Sequence, residues 1–301
     1  MRTLIAAAAC ALAPWANAQA AAPAAGLFTM VVVLDAPTAR AVAASPYLRA
    51  FGAFDVRESV GSSEGHYLSM FLFGRQTTLE MFAPGDTDLD HPGADNTGMA
   101  RLELMTDRAG ALDTLKAALR DANVPLEDST ARRRLGEHEV DWYRALERAA
   151  VAPAQQGQPS FAVSLGEFIP AYFDVPEARK ASSLGPDDRV SRARYNRREY
   201  DSARPLLDLA GATLAITRED WLSQRALLLA DGYRIAERAD GASAEGDVRV
   251  DVMFVPREHT GVRRIEFRIA HARDAAHEER IGTSRLVVGP EAHAVWEFAP
   301  R

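Results

Sequence analysis

Residues 27–82 read as one strand, one helix and three strands, and at residue 99 the same order begins again. A unit of this order has an apolar strand face it cannot bury alone, so a tandem copy points to paired units sharing one sheet. Phe28 to Leu34 is a Val-rich run of strand length. Asp35 is placed to cap a helix with Pro37 in its first turn, and Ala39, Val42, Ala43, Leu48 and Phe51 recur at helical spacing. Phe54 to Ser59, Tyr67 to Phe73 and Thr77 to Phe82 follow as strands, separated by Gly-rich turns.

The second unit starts with a strand at Met99 to Met105. Asp107 is the expected N-cap of a helix over Ala109 to Ala122, which Asn123-Val124-Pro125 ends. Glu137 to Leu146 and Phe161 to Leu165 supply further strands, and Ala152 to Ser160 reads as a surface loop. Residues 27–175 therefore form one paired βαβββ region. Residues 176–205 are rich in Pro, Ser and charge, with Arg189, Arg192, Arg194, Arg197, Arg198 and Arg204. The run could bind phosphate or an acidic lipid surface, but Asp187, Asp188, Glu199 and Asp201 interrupt the arginines and blunt the field, so this stretch reads as a solvated connection. A third related α+β region spans residues 206–301. It has a strand at Leu207 to Ile216, a helix at Arg218 to Ala230 stopped by Asp231-Gly232, and strands at Tyr233 to Arg238, Val248 to Val255, Arg263 to Ala270, Thr283 to Val288 and Ala294 to Phe298. The similarity between regions lies in element order, not in residue identity.

The N-terminus has the pattern of an export signal over residues 1–18. Arg2 gives a positive start, Leu4 to Leu12 an Ala-rich apolar core, and Ala16-Asn17-Ala18 a cleavage site, so the mature chain begins at Gln19 and is periplasmic or secreted. The alternatives are an uncleaved anchor or a lipoprotein built on Cys10, which would need an unusually short leader. Cys10 is the sole cysteine, so the mature chain has no disulfide, thiol nucleophile or thiolate metal ligand. No other segment approaches the roughly 20 apolar residues of a membrane span. A formal net charge of −7 argues against nucleic acid as a partner.

The stretches "VVVLD", "YLRAFGAFDVRES", "LFGRQTTLEMFAPGD", "GTSRLVV" and "AVWEF" resemble the DUF5829 family of uncharacterised bacterial proteins over about residues 27–298. The unit order resembles the vicinal-oxygen-chelate superfamily, the glyoxalase and bleomycin-resistance fold. That resemblance implies an α+β protein of tandem βαβββ glyoxalase-like units forming cupped mixed sheets. It also implies four inward strand positions that, in the superfamily, hold one divalent metal through His or Glu. Here those positions fall at Thr29, Glu80, Arg101 and Leu165, with Gly166 and Glu167 just beyond. One carboxylate does not make such a site, and an arginine puts a fixed positive charge where a cation would sit. The expectation is no metal and no cofactor, and the chain is read as leaning away from enzymatic function.

Strand alternation places Thr78, Glu80 and Phe82 on one face, and Met99, Arg101, Glu103 and Met105 on one face of the next unit. If both faces line the cup, Thr29, Glu80, Arg101 and Glu103 form a polar floor on which Glu80 and Arg101 pair. The plain alternative is a structural ion pair or a solvated sheet face. The seven histidines show no HxH or HExxH spacing, and His138 and His277 with their acidic neighbours read as polar edges. Asp86-Thr87-Asp88-Leu89-Asp90 has the start of a calcium loop. His91 and Thr97 stand where an EF-hand needs Gly and Glu, which leaves a polar turn or a weak calcium site. Three functions follow: metal-independent small-molecule binding in the cup, a metal-dependent lyase or dioxygenase, or a periplasmic protein-interaction module using the Arg-rich connection.

Overall fold

The structure is a computed structural model and describes residues 24–62, 65–86, 96–149, 159–175, 189–272 and 274–300. The export signal, most of the acidic loop with His91, the Ala152 to Ser160 loop up to residue 158, and residues 176–188 lie outside the described residues.

The first sheet is built from two βαβββ units. One runs β1 (Ala25–Val33), α1 (Ala36–Ala44), α2 (Pro46–Phe51), β2 (Ala53–Ser62), β3 (Gly65–Phe73) and β4 (Thr78–Phe82). The other runs β5 (Ala100–Thr106), α3 (Ala111–Asp121), β6 (Leu126–Leu135), β7 (His138–Arg148) and β8 (Phe161–Phe168). The strand order is β2-β3-β4-β1-β5-β8-β7-β6, with β1 parallel to β4, β5 parallel to β8, and the units joined by an antiparallel β1–β5 pair. Strand β6 lies in a stretch not read as a strand from sequence. Five of its central residues, Ser129 to Arg133, are polar or small with no apolar alternation, and it is held by pairing with β7 at the sheet edge.

After the short α4 (Arg192–Asn196), a second sheet repeats the plan. It comprises β9 (Leu206–Ile216), α5 (Arg218–Ala230), β10 (Arg234–Arg238), β11 (Gly241–Glu245) and β12 (Arg249–Phe254), then β13 (Gly261–Ile269), β14 (His277–Ile281), β15 (Ser284–Val288) and β16 (His293–Glu297). Its order, β10-β11-β12-β9-β13-β16-β15-β14, matches the first sheet position for position. The last region is therefore two units, not one, and among the described residues the fourth has no helix between its first two strands. A crossover helix returns the chain so that the first and last strands of a unit run parallel. Without it the direction of the next three strands inverts, and β16 is antiparallel to β13.

The helixless quarter is covered by the first unit. Phe51 of α2 meets Phe267 of β13 edge-on at 5.7 Å, and Tyr47 stacks on His277 at 4.9 Å. The Thr38 and Thr283 hydroxyls hydrogen-bond at 2.8 Å. Gly282 is required there twice over: its φ is +62°, and a Cβ would stand 2.7 Å from the Thr38 Cα. The helices lie between the two sheets, and the apolar faces of both sheets merge into one core with Trp221, Trp296, Phe161 and Phe267 fully buried.

Caps set the helix starts. Asp35 accepts from the Thr38 N–H and Thr217 from the Asp220 N–H, as residue type predicts. Asp107 does not cap α3. Its N-cap is Gly110, whose φ is +80°, and the α3 donors Gly110 N–H and Leu112 N–H go to Glu167 of β8 at 2.8 and 3.1 Å.

Four aspartates of the second half accept backbone N–H groups of the first. Asp208 takes Gln76 and Thr77, Asp220 takes Ser160, Asp231 takes Ala25, and Asp247 takes Leu27. Where the carboxylate is ionised, its charge makes such a bond stronger than one to a neutral acceptor. Among the described residues no helix is long and apolar enough to cross a membrane.

Candidate functional site

Each sheet turns one face to the packed helices α1, α2, α3 and α5; the opposite, helix-free face carries none of these four. On the helix-free face of the first sheet, pairing sets two rows. Phe73, Thr78, Thr29, Glu103 and Ser164 form one; Phe71, Glu80, Val31, Arg101 and Ala162 form the next. Pairing thus brings Thr29, Glu80, Arg101 and Glu103 onto one face. Glu80 and Arg101 flank Val31 from opposite sides, however, and do not pair. Two strand spacings of about 4.8 Å keep their backbones apart. Arg101 instead donates to Glu147 of β7 and has Glu103 Oε1 3.6 Å from its Nε.

Burial opposes the Arg101 charge, but Glu103 and Glu147 outweigh it and hold its pKa above the usual value. Burial also pushes Glu103 above the usual carboxylate range. Arg101 pulls it back, Glu147 adds to the rise, and a hydrogen bond from Thr29 lowers it. The Arg101 Nε is buried without a hydrogen-bond acceptor.

Leu165 is out of register with this floor. It pairs with Leu104 and Leu146 and faces the core, because the helix-free positions of β8 are Ala162, Ser164 and Gly166. Glu167 also faces the helices, where it caps α3. The four positions that the glyoxalase resemblance implies for a metal therefore carry a hydroxyl, a carboxylate, a guanidinium and an alanine or serine. This donor set does not suit a divalent ion. Among the described residues no group of three His, Cys, Asp or Glu is gathered to hold one.

The Arg-rich connection is not simply solvated. Its residues 189–200 cross the helix-free face. Ser191 caps α4, and Asn196, fully buried, donates to the Thr78 hydroxyl at 3.2 Å and the Gly74 carbonyl at 3.3 Å. Tyr195 stacks on Phe168 at 4.7 Å and meets Phe28 edge-on at 5.2 Å. Burial pushes the Tyr195 hydroxyl up to about 12 against the opposing charge of Arg133, which donates to it at 2.5 Å. Arg192, its side chain 6% exposed, is held by Asp107 and Asp247, each at 2.8 Å, and by the Leu27 carbonyl. Mixed charge read from sequence as exposure fails here because partners from both halves converge on one guanidinium.

Beside Tyr195, the crossing segment and the 3-10 turn at Pro170–Asp174 wall a cleft with Arg57, Phe73, Arg194, Arg198 and Glu199. Arg57 lies over the Phe71 and Phe73 rings, 5.1 Å from each. Sequence reading named Arg194, Arg198 and Glu199 only as part of a solvated connection, and missed Arg57 and Phe73 because they come from β2 and β3, remote in sequence. The available signals were the arginine run itself and an aromatic, Tyr195, inside it.

The second sheet repeats the polar floor. The capping residues Asp35 and Thr217 stand four positions past Val31 and Thr213, and both first strands carry a bulge one residue before Thr29 and Gly211. On this register Asp251, Arg264 and Glu266 match Glu80, Arg101 and Glu103. Arg101-Leu102-Glu103-Leu104 recurs as Arg264-Ile265-Glu266-Phe267, with Leu102, Leu104, Ile265 and Phe267 buried. The two faces differ in cover: the Arg101 side chain is 19% exposed and that of Arg264 42%.

Four strand quartets in two mixed sheets, three with a helix, define an α+β protein of tandem glyoxalase-like units. The chain belongs to the family of unknown function DUF5829, which it matches over residues 28–298. Among solved structures it is similar to a hypothetical protein from Staphylococcus aureus (8% identity, TM-score 0.47, 85% of this chain and 96% of that one). It is also similar to a Mn(II)-bound glyoxalase from Novosphingobium aromaticivorans (8%, 0.38, 88% and 77%) and a halotolerant catechol dioxygenase (9%, 0.41, 93% and 88%). No curated protein matches it in sequence.

Proposed function

We propose that this chain is an exported protein that binds a small molecule on the helix-free face of its first sheet, without a metal. The observation that carries the reading is unequal cover. Of two faces with matching register and matching polar floors, one is crossed by a returning segment that walls a cleft, while the other lies open. Ligand sites are concave, with a few convergent polar groups on apolar walls. The cleft lining supplies Arg57, Tyr195 and Arg198 against Phe73, Tyr172 and Phe173. Thr29, Glu80, Arg101 and Glu103 lie on the same sheet face outside that lining, with Val31, Val33, Phe82 and Met99 as an apolar cluster beside them. The export pattern of Arg2, the Ala-rich core and Ala16-Asn17-Ala18 supports a periplasmic or secreted location. The lyase or dioxygenase reading needs a metal cage, and the donor set does not favour one.

A thermal-shift screen of small polar compounds, run with and without EDTA, tests this. Stabilisation that survives EDTA and is lost in Arg101→Leu is the expected result. Stabilisation that requires an added divalent ion would favour the metal-dependent reading, and no stabilising compound would count against both.

A further inference from the structure

We propose that the chain pairs with a second copy of itself edge to edge through β6, the two strands running antiparallel about a two-fold axis so that their first sheets join into one.

The edge is long and open. β6 ends the strand order of the first sheet, and among the described residues β7 is its one strand partner. Its outer side therefore presents backbone N–H and C=O groups along ten residues without a proline. The edges of the second sheet, β10 and β14, have five residues each. A long exposed edge is a template for an added strand, with main-chain hydrogen bonds supplying the affinity.

The side chains of β6 select which strand is added. Leu126 to Leu135 reads LEDSTARRRL, acidic in its first half, small at its centre and basic in its second half. Charge of one sign blunts an edge, because every copy repels every other. Here an antiparallel copy sets each acidic half against a basic one. A two-fold axis normal to the sheet preserves its faces, so only residues that share a face can oppose each other. Arg133, bonded to Tyr195, and Leu135, packed with Phe168, mark the helix-free face; Asp128, paired with Lys116 of α3, marks the other. A register centred on Thr130 obeys this rule. It sets Glu127 against Arg133 of the second copy and Asp128 against its Arg132, each pair occurring twice by symmetry. Centring on Ser129 or Ala131 instead leaves Glu127 opposite Ala131 or Leu135.

Glu127 and Arg133 each lack an opposite charge in their own chain. Glu127 is exposed, and among the described residues no cation pairs with it. Arg133 lies 4.9 Å from the Trp142 ring centre and donates to the neutral Tyr195 hydroxyl; among the described residues it meets no carboxylate. The second pair extends contacts already made. Lys116 holds Asp128 and Asp141 holds Arg132, so the joined edge carries a row of alternating sign.

Sedimentation velocity of the full chain over about 1–100 μM should show a dimer that dissociates on dilution. Glu127→Arg, which turns an attraction to Arg133 into a repulsion, should weaken it roughly tenfold, and Glu127→Gln less. A merely solvated edge would leave all three proteins alike. Cysteine tests the register. Cys10 is the sole cysteine, so Thr130→Cys made with Cys10→Ser carries one thiol, placed opposite its own copy. Opposed Cα atoms of antiparallel strands are about 4.5–5.5 Å apart, within reach of a disulfide. Mild oxidation should therefore give a covalent dimer on a non-reducing gel. Glu127→Cys in the same background should not, since its two copies lie about 20 Å apart along the strands. Both positions are exposed, and circular dichroism checks that the variants are folded. A monomer throughout the concentration range would overturn the proposal. So would a dimer indifferent to Glu127→Arg, or Glu127→Cys cross-linking as readily as Thr130→Cys.

Discussion

Arg192, on the segment that crosses the first sheet, donates to Asp247 in the β11–β12 turn of the second sheet at 2.8 Å, and the same carboxylate accepts the Leu27 N–H at 3.0 Å. One guanidinium therefore joins the crossing segment, the β5–α3 turn through Asp107, and both sheets. Nearly full burial of Arg192 makes its loss expensive, because two carboxylates and a carbonyl lose their donor. Arg192→Ala should cost about 3 kcal/mol in denaturant unfolding. Arg192→Lys should recover little of it, since an ammonium cannot reproduce the fork. Gly26→Ala should act in the same direction, because its Cβ would stand 2.3–2.4 Å from the guanidinium atoms. Wild-type stability in Gly26→Ala would show that the guanidinium has room to move.

Asp231 gives a pH dependence with a definite sign. It accepts the Ala25 N–H at 2.6 Å, while its second carboxylate oxygen is buried without a hydrogen bond. Burial pushes its pKa up to about 7 against the backbone bond from Ala25. A carboxyl whose pKa is raised on folding holds its proton more tightly in the native state. Its contribution is fully present below the unfolded value, about 4, and is lost as pH rises through about 7. The wild type should therefore lose stability relative to Asp231→Asn between pH 4 and pH 8. Unfolding curves of the two proteins that stay parallel across this range would refute it.

On the polar floor, coupling should follow the observed partners. Arg101→Leu and Glu147→Gln are expected to be non-additive, since the two side chains form an ion pair. Arg101→Leu and Glu80→Gln should add to within about 0.5 kcal/mol, as expected for groups that do not touch. A double-mutant cycle by urea unfolding measures both. Strong Glu80–Arg101 coupling would mean that the arginine turns the other way in solution.

Glu167 should behave as a helix cap supplied from a strand. Glu167→Ala removes the acceptor of Gly110 N–H, Leu112 N–H and the Thr106 hydroxyl. A loss of about 1–2 kcal/mol is expected, with faster hydrogen exchange confined to the first turn of α3. Exchange rising uniformly along the chain would point to a packing role instead.

Export is checked by intact mass. Protein recovered from the periplasm or medium of a bacterial host should begin at Gln19. Recovery with Met1 retained would discard the signal reading.

Local patterns were legible in the sequence because they depend on neighbours along the chain. Period-two alternation placed Glu80 with Thr78 and Phe82, and Arg101 with Glu103, Asp35 capped α1 as its residue type predicts, and the Arg218–Ala230 helix lies where its boundaries were read. Tertiary structure decided what depends on strand order and on segments distant in sequence. Arg101 turned to Glu147 rather than Glu80 because β8 and β7 bring a carboxylate to one side, while Val31 separates it from the other. Charge composition marked residues 176–205 as a solvated connection, yet Asp107 of the first half and Asp247 of the second hold Arg192, and first-half aromatics hold Tyr195, against the first sheet. The missing fourth helix left no local signature that read as a fold change, since its strands still alternate as strands. Its effect, the reversal of β14 to β16, exists only as a direction of pairing between β13 and β16, set by how the chain returns across the sheet.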